Sequence, residues 1–400
     1  MLLALRVLWK SIEPTSNICK TILQQFGLDG TSVKGILPAT PMQVHMPSVW
    51  QNTKGEVFYP TFSFRLTGGV DPATVHSAWQ TLVMEIPVLR TTFVSTRSRD
   101  VPFLQVILRG SPKKPYATIG VDKGEDGQVV LRLRIHHALY DAVSLPAILA
   151  RLVSLCGGSP GEVPRIDVSA WKAHVASRFS KDDQMARRHF WMQYLSEFEP
   201  PSPCATPTEP ANGRASLFVS SAVENINLIR SLCFSNGITV QSLFFACYAK
   251  FLTYSSSAPK DVVFGVYLAN RSEDSLSLYP TLRLVPLRVQ INQGTDLLEV
   301  AEKIQQDLLA ISAQPHVDVG LWEVLEWTGV RIDTFVNFLN VPGELNGADG
   351  EKNLSGGLML EEIPSGDAAT GANHEEWQVP EEVQDNVVRD AYPASYLHSS

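Results

Sequence analysis

Residues 131–149, LRLRIHHALYDAVSLPAIL, place two adjacent histidines, His136 and His137, at the end of an alternating run, with Asp141 four residues beyond the second. An imidazole can take or give a proton near neutrality. A carboxylate at a strand-to-helix turn can cap the helix, or pair with a cation and hold the turn in shape. Strand side chains alternate, so Leu131, Leu133, Ile135 and His137 share one face while Arg132, Arg134 and His136 share the other. Continued through the pair, that parity puts His137 on the apolar, inward face and His136 among the arginines. A buried imidazole needs a hydrogen-bond partner or a chemical use. Two readings follow for His137: a catalytic group, or a hydrogen-bonded core histidine beside a helix cap. Arg90, within the otherwise apolar VLRTTFV, is the natural ion-pair partner for a buried Asp141. Neither cysteine nor serine is placed for a nucleophilic triad, and Ser144 reads as a cap.

The elements that must position these groups are legible from pattern. VFYPTFSFRL (57–66), VLRTTFV (88–94) and QVVLRLRIH (128–136) read as strands. DPATVHSAWQTLVMEIP opens with Asp71 and Pro72, an N-cap and first-turn pair, and Pro87 stops it. After the histidines, Leu145, Ile148, Leu149, Leu152 and Leu155 recur at helical spacing until Gly157 and Gly158. DQMARRHFWMQYLSEF (183–198) is a further amphipathic helix. The clearest break is FEPPSPCATPTEPANGRA (198–215), whose five prolines cannot continue a helix or central strand. Beyond it, SLFVSS, DVVFGVYLANRS and LRLVPLRVQI read as strands. AVENINLIRSLCFSNG and LLEVAEKIQQDLLAIS read as helices, and TVQSLFFACYAKFLTYSS as a central one. This mixture, without strict alternation, is an α/β or α+β layered arrangement.

Composition narrows the function classes. Apolar residues make up 44% and charged ones 18% of 400 residues, an ordinary globular balance with enough chain for two or three domains. The formal charge of −8 is concentrated: residues 344–400 hold twelve acids against two bases, leaving the body nearly neutral. With no basic stripe, nucleic acid is not an expected partner. Cys19, Cys156, Cys204, Cys233 and Cys247 are scattered and odd in number, which fits a reducing compartment rather than a disulfide framework or a metal site. No apolar run reaches the roughly 18 residues that span a bilayer. MLLALRVLWK reads as part of an N-terminal helical linker (1–34), not a signal peptide. No glycine-rich phosphate loop follows a strand, so nucleotide binding has no support. The expected compartment is the cytoplasm.

Taken together, these segments resemble a known family. HHALYDAVSL is similar to the HHxxxDG signature of condensation domains in nonribosomal peptide synthetases, with wording like the fungal, siderophore-making branch. GILPATPMQVHM, IPVLRTTF, DVVFGVYLANRS, YPTLRLVPLRV, HVDVGLWEVLEWTGV and DTFVNFLN resemble further motifs of that family in the same order, over about residues 35–340. The resemblance implies an α/β fold of two chloramphenicol-acetyltransferase-like lobes forming a V-shaped pseudo-dimer with a tunnel between them. It places the first lobe at 35–197, the linker at 198–215 and the second lobe at 216–343. An acidic, partly flexible segment follows at 344–400, and the second lobe is expected to be incomplete at its C-terminal end. It implies amide or ester formation between thioesters carried on donor and acceptor carrier proteins. The phosphopantetheine arms belong to those partners, and no metal or cofactor is bound by this chain. His137 is then the active-site histidine, His136 its supporting neighbour, and Asp141 a structural residue bridging to Arg90. Ala142, Ser144, Asn270 and Arg283 are expected along the substrate tunnel, with Ala142 and Asn270 standing where the family has glycine and Arg283 where it has asparagine. The competing expectation is a noncatalytic remnant or carrier-docking scaffold. A coenzyme A acyltransferase ranks below both, since no DFGWG motif occurs.

Overall fold

A computed structural model describes residues 30–362 other than 54, 56, 97–100, 113–114, 125–127, 159–167, 199–222, 224, 255–260, 270–277, 292–293, 314, 317, 333 and 340–359. The chain divides into two compact units. The first holds the chain up to Ser180, the stretch Ala269–Leu282 and the part from Leu339 onward; the second holds Lys181–Leu268 and Arg283–Phe338. Of the helical linker expected at 1–34 only residues 30–34 are described, a 3-10 turn at Gly30–Ser32 running into a strand at Val33, and of the proline-rich segment only Phe198 is described.

In the first unit, β1 (Val33–Pro38), α1 (Pro41–Asn52), β2 (Thr61–Leu66), α2 (Pro72–Glu85), β3 (Thr91–Ser95), β4 (Phe103–Leu108), β5 (Ala117–Lys123) and β6 (Val129–Ile135) precede α3 (Ser144–Cys156) and α4 (Val168–Ser177). Two sheets form, one ordered β1-β4-β3 and antiparallel, the other built on β2-β6-β5, also antiparallel. β6 shows the expected alternation: Leu131, Leu133 and Ile135 are fully buried, while Arg132 is exposed and pairs with Asp122. Capping side chains start the helices. Thr40 and Gln43 form a reciprocal box at α1, and Asp71 accepts from Ala73 N at α2. α2 and α3 are joined by a bidentate pair, Arg151 Nε and Nη2 each 2.9 Å from Glu85 carboxylate oxygens.

Neither β4 nor β5 is among the expected strands. All six residues of β4 are buried because it lies between β1 and β3, so it shows no alternation to read. The strand expected at 88–94 begins as a 3-10 turn, Pro87–Arg90, and becomes extended only from Thr91.

The second unit comprises α5 (Lys181–Tyr194), α6 (Ile226–Ser235), α7 (Val240–Tyr254), β7 (Asp261–Ala269), β8 (Leu282–Gln290), α8 (Leu297–Ser312), α9 (Leu321–Thr328) and β9 (Phe335–Val336). Its sheet is ordered β8-β7-β9, with β7 and β9 parallel. Gly265 lies against β9, where an added Cβ would run into the Phe335 ring. Two expectations are corrected here. α5, assigned to the first lobe, packs in the second core through Trp191 and Leu195, and Trp191 Nε1 donates to His316 O at 3.0 Å. The division therefore falls at Ser180 rather than at the proline-rich stretch. α7 is not a fully enclosed central helix. Leu243, Phe245, Ala246 and Ala249 face the core, but Phe244 and Phe251 are 43% and 66% exposed. Last among the described residues, β10 (Leu360–Glu362) falls in the strand expected at 358–363 and pairs antiparallel with β2 in the first unit, Leu360 opposite Leu66.

Candidate active site

The ordered strand ends at Ile135, one residue before the histidine pair. A 3-10 turn, His137–Leu139, follows, with His136 as its N-cap: His136 Nδ1 accepts from Ala138 N at 3.1 Å. The turn rotates the chain, so strand parity stops applying, and the two rings exchange their expected places. His136 is 0% exposed, whereas His137 is half-buried. Trp50, Tyr59 and Tyr116 surround His136 at ring-centroid distances of 5.3, 5.6 and 5.4 Å. Since Nδ1 accepts, the proton sits on Nε2, which has no hydrogen-bond partner and lies among aromatic rings, two of them edge-on. Burial, and then the neighbouring His137, push His136 down to about 3. It is a neutral wedge under the turn.

His137 is held from three sides. Its ring stacks on Tyr140 at 4.4 Å and 7°, its backbone N donates to Phe58 O at 2.8 Å, and the Phe58 ring meets it edge-on. His137 Nδ1 lies 3.1 Å from Tyr140 O. A carbonyl can only accept, so this bond requires the proton on Nδ1 and leaves the Nε2 lone pair available. Phe58 reaches its position with φ 64°, a left-handed conformation that costs a bulky aromatic on the order of 1 kcal/mol or more. Gln43, from α1, steadies the turn by donating to Ala138 O at 3.2 Å.

Asp141 is 1% exposed. Its Oδ1 accepts from Val143 N and Ser144 N at 3.1 and 2.9 Å, while Oδ2 accepts from Thr281 N at 2.8 Å. Ser144 Oγ returns the favour by accepting from Asp141 N at 2.8 Å. The expected bridge from Asp141 to Arg90 is replaced by a different arrangement. Arg90 donates to the carbonyls of Val83, Met84, Leu108 and Arg109. The first two belong to the last turn of α2, whose carbonyls lack intrahelical donors, so the guanidinium acts as a helix cap.

Of the four expected tunnel residues, Ala142 is exposed. Ser144 is 0% exposed and occupied in the turn, so it offers no surface to a passage. Arg283 is also 0% exposed, in the second unit, with Nη2 3.2 Å from Asp318 Oδ1. Asn270 lies outside the described residues. A cavity of about 270 Å³ in the first unit is lined by His76, Trp79, Leu89 and Thr118 among others, and by none of the expected site residues. Among the described residues no cluster of three or more His, Cys, Asp or Glu could hold a metal. Sequence reasoning missed Tyr140, Phe58, Gln43 and the aromatic ring set around His136. Tyr140 was detectable, because a carbonyl or ring three residues from a histidine faces it whenever the chain turns helically.

A family model described as the condensation domain matches residues 111–365, a span that contains His136, His137 and Asp141. The chain belongs to the condensation-domain family. Nonribosomal peptide synthetase SIDC of Beauveria bassiana (strain ARSEF 2860) is 37% identical over 405 aligned residues, 97% of this chain and 8% of that protein. A hydroxamate-type ferrichrome siderophore peptide synthetase of Schizosaccharomyces pombe (strain 972 / ATCC 24843) is 28% identical over 312 residues, 70% of this chain and 6% of that protein. This chain thus spans less than a tenth of either synthetase. Among solved structures, the first condensation domain of the calcium-dependent antibiotic synthetase in complex with a substrate analogue superposes with a TM-score of 0.61. It is 14% identical, over 82% of this chain and 85% of that one, so the likeness is one of fold. The α/β condensation fold expected from the motifs is the fold observed.

Proposed function

We propose that this chain catalyses condensation-type acyl transfer between thioesters presented on the phosphopantetheine arms of donor and acceptor carrier proteins. The observation that carries this reading is the half-buried His137, its Nδ1 tied to Tyr140 O and its Nε2 lone pair available. The acceptor amine attacks the donor thioester carbonyl, a C–N bond forms, and the tetrahedral oxyanion collapses with loss of the C–S bond. His137 Nε2 receives the amine proton, or orients the amine by hydrogen bonding, and the proton ends on the departing thiolate. A thioester is already activated, so placement supplies much of the rate. A hydroxyl nucleophile would give an ester by the same route. His136, sealed and neutral, supports the turn without exchanging protons with substrate.

The ferrichrome synthetase relative favours a siderophore-type peptide as the product. Among the described residues Cys156, Cys233 and Cys247 are free thiols, which supports a reducing, cytoplasmic setting. No single described helix is long and apolar enough to cross a membrane.

The test supplies donor and acceptor as thioesters on separate carrier proteins and follows amide formation by mass spectrometry. The parent is expected to form amide, and His137→Ala about 100-fold less. Carrier binding without product would favour a docking scaffold, and equal product from both proteins would remove His137 from the chemistry.

A further inference from the structure

Strand β5 is an open edge of its sheet: it pairs with β6 on one side and, among the described residues, with no strand on the other. The register fixes which backbone groups face that open side. His136 N donates to Tyr116 O at 2.8 Å, and hydrogen-bonded pairs alternate along an antiparallel ladder. Thr118, Gly120 and Asp122, opposite Arg134, Arg132 and Val130, therefore bond to β6. Ala117, Ile119 and Val121 turn their N–H and C=O groups outward. Such a row is a template for another strand.

The cavity of about 270 Å³ runs along this edge. Ala117 and Ile119 point to one face of the sheet and Thr118 to the other, yet all three line it, so it opens on the strand's margin. Helix α2 supplies the facing wall: buried Trp79 and Val83 form an apolar floor, with exposed His76 and Gln80 at the rim. A groove between a helix and an outward row of strand amides matches one kind of occupant, an extended backbone with alternate side chains directed at the helix. Charge selects among such peptides. No carboxylate lines the groove. Exposed Arg109 and Lys123 flank its β5 side along the chain, whereas the neighbouring acids Glu85 and Asp122 are already paired with Arg151 and Arg132. We propose that the groove between α2 and β5 binds an extended acidic peptide of a partner protein by strand addition. Main-chain bonds form with Ala117, Ile119 and Val121, and an apolar side chain sits against Trp79. None of the expected site residues lines this groove, so the proposal stands apart from the condensation reading.

The probe is a fluorescein-labelled peptide of sequence EEVLVEE, blocked at its C-terminus and added to the full chain. Fluorescence anisotropy reads binding, and hydrogen exchange at 117–121 reads its place. Saturable binding is expected, with exchange at 117–121 slowed about tenfold. The same peptide N-methylated at alternate residues cannot donate to the β5 carbonyls, and is expected to bind about tenfold more weakly. KKVLVKK is expected to bind more weakly as well. Ile119→Pro removes one outward N–H at a position where an edge strand accepts proline, and should weaken binding of EEVLVEE about tenfold. If this variant does not fold, the methylated peptide, which leaves the protein unaltered, decides the matter. Equal binding of methylated and unmethylated peptide would overturn strand addition, as would binding without slowed exchange at 117–121. Failure of EEVLVEE to bind, or equal binding of KKVLVKK, would overturn the acidic partner. Slow exchange without peptide that is lost on deleting residues 363–400 would make the occupant the chain's own tail. Slow exchange lost on dilution would make it a second copy. Either result also overturns the partner.

Discussion

Burial among Trp50, Tyr59 and Tyr116, with His137 alongside, keeps the His136 ring neutral down to about 3. In the unfolded chain the same ring takes a proton below about 6.5. The contribution of His136 is therefore whole above about 6.5 and is lost as pH falls from there toward 3, amounting to about 2 kcal/mol by pH ~5. Unfolding in urea at pH ~7 and ~5 checks this. His136→Asn, which keeps an acceptor for Ala138 N but does not titrate, is expected to show a smaller loss between the two pH values. Residue types and spacing alone singled out His136, His137 and Asp141 as the candidate cluster, but strand parity assigned the two burials in reverse. Parity holds only while the chain is extended, and β6 ends at Ile135, so the imidazoles sit beyond its reach. The Arg90 partner was misread for a related reason: the last carbonyls of α2 satisfy a buried guanidinium as well as a carboxylate does, and no sequence pattern announces them.

Helices α2 and α3 pack against each other, and one ion pair fastens them. The Arg151 side chain is 5% exposed and meets Glu85 with two 2.9 Å bonds. Removing the carboxylate takes two charge-assisted bonds from an almost buried cation, so Glu85→Ala is expected to cost about 2–3 kcal/mol in denaturant unfolding. Glu85→Gln, which retains an acceptor, should cost less; equal costs would mean the charge is irrelevant to the joint. α2 itself was readable because Asp71, Pro72 and the spacing of Val75, Trp79 and Leu82 agree with one another. β4 was unreadable because burial on both faces erases the period that identifies a strand. The ordered motifs located β7 and β8 for a third reason, their long apolar runs bounded by charge.

Each unit has its own buried hydrophobic residues among those described. Trp191 is 0% exposed and belongs to the second, together with Phe245, Phe264, Val285 and Ile304. Trp191→Ala is expected to cost about 3–5 kcal/mol and to speed hydrogen exchange in α7 and α8 while leaving β4 unchanged. Equal acceleration in β4 would contradict the division at Ser180. Composition pointed to the proline-rich stretch because proline marks where regular structure stops; which core the preceding helix joins is a matter of tertiary packing that proline does not record. The central claim concerns one nitrogen of the intact chain, His137 Nε2, and acylation by diethyl pyrocarbonate near neutral pH addresses it most directly. Peptide mapping, read beside the rate of amide formation, is predicted to show His137 modified and His136 untouched, with activity lost in step with His137. Activity surviving complete modification of His137, or His136 reacting first, would contradict the account.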